Sequence, residues 1–343
     1  MIYANIYTDG HSNNSLFAVE DQVHRHNPTY TPRLLRQTFL ERGIELNTPD
    51  LNQGREIAFE LHLEGRPLTP RQIPRYLIAL ENPNINKLNA SSEYCQNFDL
   101  AFAWDVRLFH LHNVVPILIP HPLVQEDFPG FEQRDIFSCL INANKAFKAV
   151  NPTDLYLERI KTIRWYERNA TDKFELYGLG WEKSTPAFNL IGRVKRSFSR
   201  INTRLFGRAP FPSYRGELAD KAVVLRRAKY SYCYENSRDL SNYITEKIFD
   251  SLVNGCVPIY WGADNVFDHI PEGCFIDRRK FRNTAEVQRH LLAINSDEFV
   301  LYQHNILNFL QSDAAQKFSA HTFVQLIVDR VCRHREDTNP KPL

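Results

Sequence analysis

Residues 230–262 place charged side chains between an aromatic-rich strand pattern, a helix pattern and a second apolar strand pattern. Such a βαβ unit directs the N-terminus of its helix at the carboxyl edge of a parallel sheet, where phosphates bind. Thr245 fits the N-cap position of this helix. Lys247 adds a positive charge in the first turn, and the neighbouring Glu246 suits the hydroxyl groups of a sugar better than a phosphate. The pattern therefore indicates a nucleotide-sugar site.

The same stretch resembles the signature of the α1,3/α1,4-fucosyltransferases, glycosyltransferase family ten. The signature joins aromatic-Glu-Asn-(Ser/Thr), Tyr-(Ile/Val)-Thr-Glu-Lys and Val-Pro-(Ile/Val)-aromatic-x-Gly, which this chain carries at residues 234–237, 243–247 and 256–262. The alternative is an ordinary Rossmann-like unit with a solvated Glu and Lys, which the length of the match disfavours. The resemblance implies a GDP-fucose donor that is bound by Asn236, Tyr243, Glu246 and Lys247.

Two upstream segments resemble further elements of this family. In the first, Arg159 takes the place of an arginine that contacts the donor pyrophosphate, a role that suits the planar guanidinium because it meets two oxygens at once. A surface arginine beside Glu158 is the alternative. In the second, Tyr177 and Gly178 begin a Tyr-Gly-x-Gly sequence similar to a family turn near the nucleotide, which is equally typical of an ordinary tight turn.

The general base is expected in the other half of the chain. Glu81 stands at the end of an apolar strand pattern and is followed by Asn82 and Pro83. This element resembles the family's apolar-Glu-Ser-Pro element, with Asn in place of Ser, and the resemblance implies that Glu81 is the catalytic base. An exposed turn glutamate before a proline is the alternative.

The sequence predicts a reaction that needs no metal. It contains no Asp-x-Asp motif, so cations and a helix dipole are expected to stabilise the leaving diphosphate. Two histidine pairs, His24 with His26 and His110 with His112, lack clustered cysteines or carboxylates at ligand spacing and are not expected to bind metal.

Composition excludes some other classes. The 343 residues carry a formal charge of only +2, which implies no nucleic-acid partner, and they contain no apolar run near the length of a membrane span. No signal peptide is apparent, and the six scattered cysteines suit a reducing compartment. We therefore expect a bacterial-type enzyme in the cytoplasm.

A basic stretch leaves two alternatives open. Residues 184–216 contain no acidic residue, and within them residues 191–208 show an amphipathic helical pattern with a basic face. This segment either contacts an anionic membrane, which would place the enzyme peripherally on the inner membrane face, or packs on its own domain with a solvated basic face.

Alternating strand and helix patterns predict an α/β fold. Two Rossmann-like domains facing a central cleft, the GT-B architecture, are expected, and the resemblance implies the same. The predicted division is an acceptor-binding domain at residues 1–125, a donor domain at 126–320, and a C-terminal helix with a polar tail at 321–343.

The predicted function is inverting, metal-independent transfer of L-fucose from GDP-fucose to an oligosaccharide or glycolipid acceptor. The linkage implied by the resemblance is α1,3 or α1,4 to an N-acetylglucosamine or glucose-type residue. One alternative is a related GT-B transferase that uses another nucleotide-sugar. The other is a non-catalytic protein that binds polyanions or a membrane surface through the basic stretch.

Overall fold

The computed structural model describes residues 1–18, 29–70, 72–123, 127–186, 197 and 210–338. The strands of this part are β1 (Ile2–Tyr7), β2 (Ile44–Asn47), β3 (Ile57–Leu63), β4 (Arg75–Ala79), β5 (Leu100–Ala103), β6 (Val114–Pro116), β7 (Ile136–Ile141), β8 (Glu175–Tyr177), β9 (Ala228–Tyr234), β10 (Val257–Trp261) and β11 (Ile276–Asp277). Its α-helices are α1 (Tyr30–Glu41), α2 (Ser92–Cys95), α3 (Tyr156–Asn169), α4 (Ala222–Leu225), α5 (Glu246–Leu252), α6 (Thr284–Ala293), α7 (Ser296–Leu310), α8 (Asp313–Gln316) and α9 (Ala320–Thr338).

The chain forms two compact units. The first consists of Met1–Leu123, Ser241–Tyr243 and Ala315–Leu343, and the second of Val124–Leu240 and Ile244–Ala314. The short segment from Ser241 to Tyr243, which lies inside the signature, is thus counted with the first unit. The predicted roles of residues 1–125 in acceptor binding and of 126–320 in donor binding stay predictions.

A parallel sheet forms the centre of the first unit. Among the described residues its order is β2-β1-β3-β4-β5-β6, with every neighbouring pair parallel. All five residues of β4 are buried, as expected for a parallel strand covered on both faces. The C-terminal helix α9 packs against this core through apolar side chains at helical spacing, namely Phe323, Val324, Ile327, Val328 and Val331. Helix α9, which lies in the predicted C-terminal segment 321–343, therefore contributes to the core of the first unit.

The second unit has a parallel sheet in the order β11-β10-β9-β7-β8 within the described chain. Its central strand β9 buries Tyr230, Tyr232 and Tyr234, whose side chains share one face because strand residues two apart point the same way. The Tyr166 hydroxyl of α3 lies 2.9 Å from the Tyr232 hydroxyl, which satisfies both phenols inside the core. The strand predicted from its aromatic residues is therefore the strand that anchors the signature.

The two sheets confirm the predicted fold class, an α/β chain of two Rossmann-like units as in GT-B proteins. Sequence patterns did not reveal helix α6 or strand β6. In the described part of the chain, no helix combines the length and the apolar character that crossing a bilayer requires.

Candidate active site

The part of the signature that lies in the second unit is built around a buried carboxylate at the end of β9. Glu235 is fully buried, and its side chain accepts hydrogen bonds from the Thr245 backbone N–H at 2.8 Å and from the Thr245 hydroxyl at 2.7 Å. The Lys247 amino group lies 3.2 Å from the Glu235 carboxylate and donates to the Thr245 hydroxyl at 2.8 Å. Glu235 therefore fixes the turn that leads into α5 and the position of the Lys247 side chain.

Thr245 occupies the N-cap position of α5 as predicted, but its hydroxyl does not cap the helix. The hydroxyl is engaged with Glu235 instead, because a buried carboxylate requires more donors than Lys247 alone supplies. Helix α5 is also short, ending at Leu252. The charge of Lys247 is consequently the main positive element that the signature places here.

The electrostatics of this network depend on burial. Desolvation raises the pKa of Glu235, the positive charge of Lys247 acts in the opposite direction, and the nearby Glu246 raises it further. The Lys247 side chain is 11% exposed and lies 3.3 Å from the Glu246 carboxylate, whereas the Glu246 side chain is half exposed. A ligand can thus reach Glu246 and the edge of Lys247, while Glu235 stays inside the protein.

Gly262, the last residue of the signature, is required by the same packing. A Cβ at this position would overlap the Glu235 side chain and the Tyr260 hydroxyl. Backbone hydrogen bonds join the end of β10 to the loop that follows β9. The Glu235 N–H donates to the Trp261 carbonyl at 2.9 Å, and the Asp239 N–H donates to the Gly262 carbonyl at 3.0 Å. The glycine of the motif is therefore explained by the buried glutamate.

We expect Gly262→Ala to lower the free energy of unfolding by about 1–3 kcal/mol, because the added methyl group overpacks a filled site. Urea unfolding of both proteins measures the change. Gly130→Ala is the matched control, because its Cβ would meet only Gln133 Oε1 at 3.9 Å. Equal losses in the two variants would contradict a specific role for the space beside Glu235.

Arg159 is buried behind the signature loop, with 2% of its surface exposed. Its Nη2 donates to the carbonyls of Tyr234 at 2.6 Å and Glu235 at 2.8 Å, and to Asn236 Oδ1 at 3.1 Å. The alternative of a surface arginine is therefore wrong, and Glu158 pairs with Lys161 instead. This geometry makes Arg159 a positioning residue for the loop that carries Asn236, and its direct contact with a diphosphate stays a prediction.

Tyr177 and Gly178 lie at the end of β8, separated from β9 by β7. The Tyr177 hydroxyl donates to Glu175 at 2.6 Å, and burial raises the pKa of the phenol. Gly178 has φ of 118°, and a Cβ there would overlap the Asn142 carbonyl, so glycine is needed for the local turn. These contacts satisfy both residues within the fold, and their contact with a nucleotide stays a prediction.

Tyr243 lies in the first unit, where its ring packs against Trp104 with a centroid distance of 4.9 Å. The neighbouring Asn242 donates to the Trp104 carbonyl at 3.3 Å, and the Trp104 indole N–H donates to the Leu80 carbonyl at 2.9 Å. Tyr243 is thus connected through one side chain to the backbone beside Glu81. Its contact with the donor stays a prediction, and its observed partner belongs to the same unit as the candidate base.

Glu81 is half-buried at the end of β4, and its Oε1 accepts a hydrogen bond from the Asn82 N–H at 2.7 Å. Glu64 holds this turn in place, because its carboxylate accepts from the N–H groups of Leu80 and Glu81 at 3.1–3.3 Å. Asn89 donates to the same carboxylate and also to the Glu81 carbonyl. Sequence reasoning missed Glu64, since no motif marks it and its role appears only when β3 and β4 pair.

Glu64 also has an unusual backbone conformation and a raised carboxyl pKa. Its φ is 69°, a left-handed conformation that is uncommon outside glycine, asparagine and aspartate. Burial raises the pKa of its carboxyl group, and the charge of Glu81 adds to this effect. Strained residues of this kind persist where surrounding structure fixes them, often at functional sites. The candidate base is therefore mounted on a turn that the fold fixes closely.

The histidine pairs and the basic segment lie only partly within the described residues. His110 and His112 are exposed, and the described ranges contain no group of three His, Cys, Asp or Glu side chains that could hold a metal ion. His24, His26 and nearly all of the basic segment 191–208 lie outside the described residues.

The structure brings Arg159, Asn236, Glu246 and Lys247 to one end of β9, with Tyr177 and Gly178 at the end of β8. It places Glu81 and Tyr243 together in the other unit.

Two Rossmann-like units with this motif define the GT-B class. Residues 190–339 match the model of the domain described as glycosyltransferase family 10 (fucosyltransferase), C-terminal. The resemblance to the fucosyltransferases that the signature indicated is therefore confirmed over this part of the chain.

Two curated fucosyltransferases are similar to this chain over short stretches. The α-(1,4)-fucosyltransferase of Arabidopsis thaliana is 38% identical over 69 residues, which is 20% of this chain and 17% of that protein. The α-(1,3)-fucosyltransferase FucT of Helicobacter pylori is 29% identical over 99 residues, 28% of this chain and 20% of that protein. The chain therefore matches a fifth or less of the length of these relatives. A crystal structure of an α1,3-fucosyltransferase with GDP is 14% identical with a TM-score of 0.48, covering 86% of this chain and 84% of that one.

Proposed function

We propose that this protein transfers L-fucose from GDP-fucose to a hydroxyl group of an acceptor glycan, with inversion at the sugar and without a metal ion. The acceptor is an oligosaccharide or glycolipid, and the linkage is α1,3 or α1,4 to an N-acetylglucosamine or glucose-type residue. Peripheral contact of residues 191–208 with an anionic membrane belongs to the same proposal. The match of residues 190–339 to the fucosyltransferase domain and the geometry around Lys247 support it.

The observation that carries the proposal is the position of Lys247. Its amino group is held by Glu235 and Thr245 at the carboxyl edge of the second sheet, next to the exposed carboxylate of Glu246. A fixed ammonium group can stabilise the negative charge that develops on a departing diphosphate. A carboxylate beside it can accept hydrogen bonds from sugar hydroxyls. Together these groups suit a nucleoside diphosphate sugar.

The proposed step is a single displacement. The acceptor oxygen attacks the anomeric carbon of fucose on the face opposite the diphosphate, the bond to GDP breaks, and Glu81 accepts the acceptor proton. Arg159 contributes by holding the loop of Asn236, in addition to its predicted attraction for the diphosphate. Charge on the leaving group is stabilised by the cations of the second unit.

The donor assignment predicts selective stabilisation by GDP. In thermal unfolding with GDP, UDP, CMP and ADP at equal concentration, only GDP should raise the melting temperature markedly. A ligand at a hundredfold excess over its dissociation constant adds about 2.7 kcal/mol of stability. A larger shift with UDP than with GDP would instead favour a transferase for another nucleotide-sugar.

The metal-free mechanism predicts that turnover of GDP-fucose survives EDTA. We expect the same rate before and after chelation, because Lys247 is already placed to meet the diphosphate charge. Release of GDP in the presence of a mixed acceptor pool is the measurement, and EDTA preloaded with magnesium is the control. Loss of activity in EDTA with recovery in manganese would overturn this part of the proposal.

A further inference from the structure

A cavity of about 650 Å³ opens in the second unit, beside the carboxyl ends of β10 and β11. Its wall includes Trp261 from the end of β10, Arg278 directly after β11, and Trp165 from α3. The volume is in the range of pockets that hold small molecules. None of the residues assigned above to the donor or to the base lines this cavity. The residues assigned to the proposed transfer therefore leave this cavity unexplained.

Arg278 gives the cavity a buried positive charge. Only 5% of this residue is exposed, and its guanidinium donates to the Tyr234 hydroxyl at 3.1 Å and to the Phe281 carbonyl at 2.7 Å. Both acceptors are neutral, the adjacent Asp277 pairs with Arg279 at 2.8 Å instead, and within the described ranges Arg278 forms no ion pair. Buried charges in proteins are normally paired, because desolvation of an isolated charge is costly. An anion in the cavity would supply the missing partner.

The neighbouring side chains extend this positive field. Lys161 and Arg282 line the same cavity, with side chains that are 69% and 88% exposed. Glu158 and Asp239 also line it, and each is paired with a cation of the same wall, Glu158 with Lys161 at 2.6 Å and Asp239 with Arg238 at 2.7 Å. Arg282 pairs with Glu286 outside the cavity. An inorganic anion would use the cations and be repelled by these carboxylates. A ligand with both a negative group and hydroxyl donors would use both kinds of side chain.

Aromatic rings provide the third element. Trp165, Trp261 and Phe281 line the cavity and are all partly exposed. Such rings offer flat apolar surface on which the C–H face of a sugar ring can pack. The guanidinium of Arg278 lies 5.1 Å from the Trp261 ring centroid, so the charge and the apolar surface are adjacent.

We propose that this cavity is a second binding site, separate from the donor site, for a saccharide that carries a carboxylate or a phosphate. The sugar ring packs on the tryptophans, its hydroxyls donate to Glu158 and Asp239, and its anionic group pairs with Arg278. Guanidinium groups suit both anions because their planar fork bonds two oxygens. A nucleotide would also stack on the rings, but its diphosphate brings more negative charge to the two carboxylates than the single anionic group of an acidic sugar, so an acidic sugar fits better.

Tryptophan fluorescence tests the proposal, because two of the four tryptophans line the cavity. The full chain is titrated with glucuronic acid, glucose 6-phosphate, glucose and inorganic phosphate, each with and without saturating GDP. At least one acidic sugar should bind about tenfold or more tightly than glucose, and the comparison of the two acids identifies the preferred anion. A sugar phosphate should also bind more tightly than inorganic phosphate. Saturating GDP should leave these affinities unchanged.

Variants assign the binding to the cavity. Arg278→Met should remove the advantage of the acidic sugar over glucose. Because Arg278 is buried, the double variant Lys161→Ala with Arg282→Ala provides a second measurement on exposed side chains and should weaken acidic-sugar binding severalfold. Arg289→Ala removes an equally exposed cation of α6 outside the cavity, with a side chain that is 74% exposed, and should change nothing.

Four results would overturn the proposal. In the first, glucose and both acidic sugars bind equally; in the second, glucose 6-phosphate is the preferred acidic sugar but inorganic phosphate binds equally well. In the third, GDP displaces the sugar. In the fourth, the folded double variant binds the acidic sugar with full affinity. Displacement by GDP would assign the cavity to the donor site. These experiments measure binding of a sugar and not turnover. A negative result here therefore does not contradict the proposed fucosyl transfer, and absence of turnover does not contradict this binding site.

Discussion

Glu81→Gln is expected to lower the turnover of GDP-fucose by about 10²–10⁴, the usual loss when a general base is removed. The amide cannot accept the proton of the acceptor hydroxyl. It can still accept the hydrogen bond from the Asn82 N–H that now reaches Glu81 Oε1 at 2.7 Å. The turn fixed by Glu64 should therefore persist, and the change should be confined to chemistry.

The measurement combines single-turnover kinetics with calorimetric titration of GDP. The variant should bind GDP with the affinity of the original protein, because Glu81 lies in the first unit and the signature cations lie in the second. Glu93→Gln, an exposed carboxylate of α2 in the same unit, is the matched control and should retain full activity. An unimpaired rate in Glu81→Gln would remove this residue from the mechanism.

Local sequence patterns were sufficient to predict the βαβ unit that carries the signature. The βαβ unit around α5 is encoded by residues close together in the chain, with a strand, a polar loop, an apolar helix face and a glycine. Its fold could therefore be predicted without knowledge of distant residues. Gly262 was recognised as part of a motif, but the reason for it required Glu235 to be placed in three dimensions.

Contacts between distant residues were not predictable in this way. Arg159 donates to the Tyr234 carbonyl across 75 positions of the chain, so its burial and its acceptors depend on the pairing of β7 with β9. Glu64 meets the N–H groups of Leu80 and Glu81 only because β3 and β4 are neighbours in the sheet. The position of a polar residue in the sequence does not identify the backbone group with which its side chain will form a hydrogen bond. The residues that position the site were therefore harder to find than the residues of the signature.

Lys247→Ala is expected to affect both stability and nucleotide binding. The variant leaves the fully buried Glu235 carboxylate without its ammonium partner, now 3.2 Å away. Breaking a buried ion pair by removing one partner costs about 3–5 kcal/mol. Loss of a charge-assisted bond to the diphosphate should also weaken GDP binding by about 1.5–3 kcal/mol. Turnover should fall further, because charge on the leaving group increases in the transition state.

The loss of stability in Lys247→Ala should increase as pH rises. Burial already raises the pKa of Glu235, and removal of the opposing Lys247 charge raises it further. A carboxyl group whose folded-state pKa exceeds its unfolded value costs stability as pH rises from the unfolded to the folded pKa. Chemical unfolding should thus reveal a small deficit for Lys247→Ala at acidic pH, where Glu235 is protonated in both states, and a larger one at mildly alkaline pH.

The double variant Glu235→Gln with Lys247→Met separates the two effects. It removes both charges together, which typically costs much less than leaving one of them buried alone. The amide that replaces the Glu235 carboxylate can still accept the hydrogen bond that the Thr245 N–H donates at 2.8 Å. Stability should therefore recover, whereas GDP binding should stay as weak as in Lys247→Ala. Lys280→Ala, which removes a cation from an exposed pair in the same unit, controls for net charge and should leave GDP binding unchanged. A GDP dissociation constant equal to that of the original protein in the folded double variant would show that Lys247 serves the fold alone, and the donor-site proposal would lose its main cation.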